Sequence, residues 1–470
     1  MIALWTLPKI LEALTPTAIQ QLNNAVFKGI SIDSRTTKPG DLYIAICGPN
    51  NNGHDYVDSA IQSGATLCIV SENRPHWKQL PIIEVRDTVK ALNSLGIASR
   101  SRCSGTVIGV TGSAGKTSTK NLLFHSLSSC GATYASPRSF NNLWGVPYSL
   151  ASMPDDTKFG IIEMGMNHAN EISPLSKMAR PQIAIITNVG TAHLEFFDSV
   201  EGIALAKSEI FDGMPRGSTA ILNKDNPFFT LLCNKARDQG HKILSFGSDV
   251  RADIRLIAYD DVSAIVKAEI DGSTIEYNMG VVGIHHAYNS LAVLAGIQAT
   301  GENVETAAAC FSTWKASEGR GAIETICTPQ GQVTLIDESY NANPDSVRST
   351  IRTLGKKSTN GRKILFLGDM KELGKHGPEL HQALAKDIID TEIDIVHTCG
   401  DIMKFLHNAL PPSQRGHHCA TSSEMSEIVP ELIQDDDTIV VKGSLSMKMA
   451  KIIQALKSLT NTEKGKKICY

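Results

Sequence analysis

The sequence predicts an α/β protein built as three domains around parallel sheets. Three observations carry this. A glycine-rich loop joins a strand-like run to a helix-like one, the layout of a phosphate-binding loop. Two long stretches alternate near-continuous apolar strands with helices, the pattern of a sheet covered on both faces. At 470 residues the chain is long enough for about three domains, each with its own core.

The first stretch, 1–104, reads as a small α/β unit. Strand-like runs at 41–46, 66–70 and 82–85 alternate with helical spacing at 56–63 and 88–100. The second, 105–314, opens on strand 106–110 and adds apolar strands at 159–163, 183–187 and 219–222. Between 254 and 277 short alternating runs flank Asp271-Gly272, a hairpin signal, and a helix follows at 287–299. The third, 315–470, has strands at 333–337, 363–367, 393–397 and 438–441, with helices at 345–354 and 378–389. That is a second doubly wound, Rossmann-like unit.

Composition narrows the function classes. The chain is 42% hydrophobic, 20% charged and 6% aromatic, as globular proteins are. A net charge of -3 offers no basic face for nucleic acid. No apolar window approaches the ~18 residues of a membrane span. The first residues lack the basic leader and long apolar core of a signal peptide, so a cytoplasmic chain is expected. The ten cysteines form no C-x-x-C pair and lie mostly in apolar runs. Reduced thiols are expected, not disulfides or a zinc site.

The phosphate loop is Thr111-Gly112-Ser113-Ala114-Gly115-Lys116-Thr117-Ser118. Its glycines let backbone N–H groups approach phosphate oxygens, and the following helix start adds partial positive charge. Lys116 would reach the β- and γ-phosphates, and the Thr117 hydroxyl would hold Mg²⁺. Val110 stands where the usual pattern has its first glycine. Glu163 ends a buried strand, where ligands gather in open α/β sheets, and suits Mg²⁺. A solvated strand-end carboxylate is the plain alternative. His193 follows the next buried strand, either as a site residue or as an exposed loop histidine. Lys207 has the pattern of a solvated helical lysine. His285 and Asn289 open a helix, where capping and purine recognition both fit. The run Asp337-Glu338-Ser339-Tyr340-Asn341-Ala342-Asn343-Pro344-Asp345-Ser346 joins a strand to a helix. Turn and cap chemistry explains it, and so does a binding site.

Together these stretches resemble the Mur ligases, the ATP-dependent amide-bond-forming enzymes of peptidoglycan assembly. The resemblance runs in order along nearly the whole chain. It rests on Thr111-Gly112-x-x-Gly115-Lys116-Thr117, on Glu163, and on Asn188-x-Gly190-x-Ala192-His193-Leu194. It continues through Ala206-Lys207-x-Glu209-Ile210 and Gly283-x-His285-x-x-x-Asn289. The 337–346 motif is similar to the family member that adds the D-alanyl-D-alanine dipeptide. Asp33-Ser34-Arg35, Pro39-Gly40-Asp41-Leu42 and Gly53-His54-Asp55 are similar to that member's UDP-sugar-binding unit.

The resemblance implies three domains: 1–104 for the UDP-sugar-peptide, 105–314 for ATP, and 315–470 as the Rossmann-like ligase domain. It implies the addition of D-alanyl-D-alanine to UDP-N-acetylmuramoyl-tripeptide (UDP-MurNAc-tripeptide) through an acyl phosphate, with ATP and Mg²⁺. Lys207 would be carbamylated by CO₂ and would hold a second Mg²⁺ with Glu163 and His193. Asn289 would contact adenine, and Arg320 and Asp337 the nucleotide from the interdomain side. Tyr340, Asn341 and Asn343 would face the dipeptide, and Ser34 and Arg35 the UDP-substrate. A monomer without nucleic-acid partners is expected. Two departures stand out: Leu445 replaces the arginine of a Lys-Gly-Ser-Arg motif, and His286 replaces an asparagine.

Two other readings remain. The sibling that adds a single diamino acid carries an Asp-Asn-Pro-Arg motif in its third domain; here Asp225-Asn226-Pro227 falls in the second and precedes Phe228. A nucleotide-binding switch would need the phosphate loop but not Lys207, His193 or a third α/β domain.

Overall fold

The computed structural model describes residues 3–20, 25–329 and 331–461. Among them the largest sheet has nine strands. From one edge they are Ser273–Asn278, Ile265–Ile270, Ile254–Tyr259, Lys242–Gly247, Thr219–Asn223, Ile183–Ile186, Thr106–Thr111, Phe159–Glu163 and Thr133–Ala135. The run from Ile254–Tyr259 to Thr133–Ala135 is parallel, and the first two strands join antiparallel. Both faces are covered. Ile108 and Val110 pack with Leu123 and Leu291 on one side, and Val107 and Ile162 with Val146, Leu175 and Ile203 on the other. This two-sided burial explains the continuous apolar strands in the sequence.

The Asp271-Gly272 turn is present. Asp271 has φ 50° and Gly272 φ 76°, and Ile270 pairs with Ser273 across it. Both turn residues being left-handed matches the twist of the flanking strands.

A second sheet of six strands holds Ala322–Thr328, Gly331–Glu338, Thr438–Lys442, Lys363–Gly368, Ile395–Cys399 and Arg415–Cys419, in that order. Only its first pair is antiparallel. A third, N-terminal sheet runs Ala18–Gln20, Ile82–Glu84, Leu67–Val70, Asp41–Ile44 and Gly29–Ser31. No helix among the described residues is long and apolar enough to cross a membrane.

Several elements differ from the sequence reading. The helix after the phosphate loop, whose spacing in the sequence is read from Lys120 to Leu127, already starts at Lys116, because the loop glycines end the strand and the turn begins at once. The helix expected at 287–299 spans Ile284–Thr300, with Gly283 at its N-cap. His285 and Asn289 therefore sit inside it and do not cap it. The strand Arg415–Cys419 has no apolar alternation, since it forms a sheet edge. Cysteines 47, 68, 103, 130, 233, 310, 399 and 419 are free, as expected. Cys327 is disulfide-bonded, against the expectation of reduced thiols throughout.

Candidate active site

Strand Thr106–Thr111 lies between Phe159–Glu163 and Ile183–Ile186. The chain leaves it toward both sides, so its carboxyl end opens a crevice at the switch point of the sheet. The phosphate loop fills that crevice. Gly112 has φ 150°, and a Cβ there would fall 2.0 Å from Thr187 Oγ1. Gly115 has φ 82°, and a Cβ there would fall 2.5 Å from Asn289 Oδ1. Neither position admits a side chain, and Asn289 is thereby set directly against the loop.

Neighbouring loops hold this one in shape. The Ser113 N–H donates to Asn188 O at 2.8 Å, and the Gly190 N–H donates to Ser113 Oγ at 3.0 Å. The Thr187 hydroxyl donates to Ala114 O at 2.5 Å. Lys116 Nζ donates to Gly112 O at 2.6 Å, folded back over the loop. Burial pushes its pKa below the usual lysine value, against the pull of Glu163. Ser118 sits half-buried on the first helical turn.

Glu163 is 1% exposed at the end of its strand. It is fully engaged, which rules out the solvated alternative. The Thr117 hydroxyl donates to its Oε2 at 2.9 Å, and Asn141 Nδ2 donates to Oε1 at 2.7 Å. Lys120 Nζ lies 3.6 Å from Oε2. Lys120 was not singled out by sequence. It is fully buried and also donates to Ser136 O at 2.7 Å and to Arg138 O. The signal was its spacing: one turn after Lys116, it shares a helix face with the loop lysine. Through Ser136 and Arg138 it pins the 136–142 loop, which delivers Asn141 to Glu163.

Lys207 is also 1% exposed. Helical patterning suggested a solvated lysine; the fold buries it. No described residue gives its ammonium a hydrogen bond or an ion pair. Burial drives its pKa far below the usual value, and the nearby Lys116 adds to this. A buried, unpaired cation beside another cation is costly. His193 has φ 66°, left-handed for a non-glycine residue, and its Nδ1 lies 2.5 Å from Glu372 Oε2.

The third unit closes the crevice. The Arg320 guanidinium stacks over the Tyr340 ring at 4.1 Å and donates to Ser139 Oγ at 3.1 Å. The Asp337 carboxylate accepts from the Gly319 N–H at 2.8 Å and from the Ser339 hydroxyl at 2.6 Å, shaping the loop that carries Arg320. Asn343 caps the helix Pro344–Lys356 in a capping box with Ser346, and its Nδ2 reaches Ser113 O at 3.5 Å. Asn341 is exposed, and its carbonyl accepts from Lys442 Nζ at 3.2 Å. Lys442 pairs with Glu338 at 2.8 Å. Leu445 is exposed.

Ser34 and Arg35 lie apart from this crevice. Ser34 is buried, while Arg35 is exposed and ion-paired to Asp33 at 2.6 Å. Beside them a cleft of about 840 Å³ separates the N-terminal sheet from the central unit. Asp33, Lys28, Lys38, Arg138 and Tyr148 line it.

Among the described residues, one trio of His, Cys and carboxylate ligands clusters tightly: Cys47, His54 and Glu72. It is a hydrogen-bond network. The Ser71 N–H donates to His54 Nε2 at 2.8 Å, so the ring proton is on Nδ1, which faces Asn52 Oδ1 at 2.7 Å. At the phosphate loop the donors are a hydroxyl and a carboxylate. Such hard oxygens fit Mg²⁺, which takes few protein ligands where phosphates supply the rest.

Three family descriptions match the chain in order. They are the Mur ligase family catalytic domain over 26–99, the Mur ligase middle domain over 110–297, and the Mur ligase glutamate ligase domain over 323–445. The UDP-N-acetylmuramoyl-tripeptide–D-alanyl-D-alanine ligase of Rickettsia prowazekii is 33% identical, across 93% of this chain and 96% of the relative. This chain belongs to the Mur ligase family. The Escherichia coli ligase of the same name is 32% identical over 91% of this Mur ligase and 93% of the relative. Among solved structures, Acinetobacter baumannii MurF superimposes with TM-score 0.84 at 26% identity, covering 97% of this chain and 99% of that one. Thermotoga maritima MurF ligase in complex with ADP matches with TM-score 0.77 at 25% identity, covering 92% and 98%.

Proposed function

We propose that this Mur ligase joins D-alanyl-D-alanine to UDP-N-acetylmuramoyl-tripeptide, with ATP converted to ADP and phosphate. One observation carries the reading. The phosphate loop, the buried Glu163 and the 337–346 loop converge on one crevice, in a chain that aligns almost end to end with ligases named for this reaction. The terminal carboxylate of the tripeptide attacks the γ-phosphorus of ATP, and ADP leaves. The dipeptide amine then attacks the acyl phosphate carbon, and phosphate departs. A carboxylate approaching a polyanion needs cations and fixed geometry, so positioning and electrostatics supply most of the catalysis.

In this reading residues 1–104 bind the UDP-sugar-peptide, with Ser34 and Arg35 at the UDP. Residues 105–314 bind ATP, and 315–470 present the dipeptide. The backbone from Gly112 to Ser118 cradles the phosphates, Lys116 reaches the β- and γ-phosphates, and Asn289 meets the adenine. Arg320 approaches from the third unit, on the loop that Asp337 shapes. Thr117, Glu163, His193 and Lys207 are the metal-holding set. Bound Mg²⁺ neutralises phosphate charge as the carboxylate approaches. A free ammonium at Lys207 would repel a metal, whereas a carbamate made with CO₂ is an oxygen ligand. That no described residue partners this buried side chain supports carbamylation. Tyr340, Asn341 and Asn343 form the acceptor side. The protein is read as a cytoplasmic monomer, which sedimentation of the purified chain tests.

The decisive assay is ADP release with ATP, Mg²⁺ and UDP-MurNAc-tripeptide, with and without D-alanyl-D-alanine. Sustained turnover only with the dipeptide is the expected result. Turnover with a free diamino acid instead would move the assignment to the sibling ligase.

A further inference from the structure

The third unit touches the central one at a second place, along the loop that carries His193. Glu372 lies in the loop that follows strand Lys363–Gly368. Its Oε2 comes within 2.5 Å of His193 Nδ1, and its carbonyl accepts the Glu195 N–H at 3.0 Å. Gly374 packs against Glu195: a Cβ there would lie 3.3 Å from Glu195 Cα. Asp345 adds a contact nearby, with Oδ2 facing the Thr191 N–H at 3.4 Å. His193 and Glu372 have φ 66° and 64°, so two left-handed non-glycine residues meet across the junction. Such conformations persist where surrounding structure over-determines them, and they cluster at functional sites.

The Glu372 loop is held firmly at its root. The Met370 N–H donates to His381 Nε2 at 2.9 Å, and the Lys371 N–H donates to Ser444 Oγ at 2.8 Å. Asp369 accepts the Met403 N–H at 2.8 Å and pairs with Lys371 Nζ at 2.9 Å. The loop therefore presents its carboxylate as a fixed part of the third unit. A carboxylate beside Nδ1 draws the imidazole proton to that nitrogen and leaves the Nε2 lone pair free for a metal.

We infer that Glu372 is a positioning residue for His193, supplied by the third unit, so that the metal-holding set is complete only when the units are docked. The inference rests on the reading of His193 as a metal-facing residue. Glu372 orients the ring and touches neither substrate nor metal.

The test uses the full chain with Mn²⁺ as the probe, followed by electron paramagnetic resonance, with a non-hydrolysable ATP analogue and UDP-MurNAc-tripeptide present. The variants are E372Q, E372G and H193A. E372Q keeps the shape and loses the charge. E372G removes the carboxylate and favours the left-handed backbone, so it remains folded if E372Q does not. The expected result is a roughly tenfold weaker second Mn²⁺ in both Glu372 variants, with ATP KM unchanged and kcat lowered. A merely structural latch would leave Mn²⁺ affinity where it was. Weak Mn²⁺ binding in H193A with wild-type binding in E372Q and E372G overturns the inference and leaves the reading of His193 standing. Wild-type binding in H193A overturns the reading of His193 and the inference with it.

Discussion

Two buried lysines near Lys116 have opposite surroundings. Lys120 is satisfied by two carbonyls and a carboxylate; Lys207 has no polar partner among the described residues. Their substitutions should therefore behave oppositely. Lys120→Met leaves Glu163 without its cation and frees the 136–142 loop. A loss of about 3 kcal/mol is expected in denaturant unfolding, as for other broken buried pairs. Lys207→Met replaces a buried amine that has no hydrogen-bond partner among the described residues with an apolar side chain of similar length. Thermal stability should hold or rise, while ligation falls by at least about 100-fold. Short carboxylates added to a Lys207→Ala variant should restore part of the rate. Carbon-13 NMR after exposure to labelled bicarbonate should show a carbamate signal in the wild type that is missing from both Lys207 variants.

At the scale of elements, the helix Pro344–Lys356 does two jobs through one residue. Asn343 caps it and reaches the phosphate loop. Asn343→Ala should cost about 1 kcal/mol of stability through the lost cap. It should also raise KM for ATP, which a cap placed elsewhere in the chain would not do; steady-state kinetics beside a melting curve separates the two effects. Most elements of the parallel sheets were legible, because strands buried on both faces are apolar throughout. Arg415–Cys419 was not, since an edge strand of arginine, glycine, histidine and cysteine carries no such pattern. The phosphate loop could be read from its own eight residues. Lys207 could not, because a lone lysine near the end of a short, mostly apolar helix gives no local sign that another layer will cover it. Glu372 was invisible for a different reason: its meaning comes from His193, which local spacing does not bring near.

The whole molecule is sensitive to acid through its buried histidines. His397, in the third unit, is 3% exposed. Burial, with help from His417, pushes its pKa down to about 4. An unfolded chain protonates the same ring near pH 6.5. Between those values the unfolded state binds more protons, so stability is complete above about pH 6.5 and declines as pH falls toward 4. From pH 6.5 to pH 5 the expected loss is roughly 2 kcal/mol. Hydrogen exchange across Ile395–Cys399 should show it, and His397→Gln should flatten the slope. The same scale governs how the site comes into being. Ser113 bonds to Gly190, 77 residues on, and is reached by Asn343, 230 residues on; Arg320 bonds to Ser139 across 181. Closing long loops adds little to the free-energy cost, because that cost grows only with the logarithm of length. It adds much to the time, because distant pairings form late. On a ribosome the phosphate loop emerges long before its partners. A nascent chain lacks Arg320 and Asn343 at the crevice until the last third of the polypeptide has been made. The crevice is thus finished by the residues that leave the ribosome last.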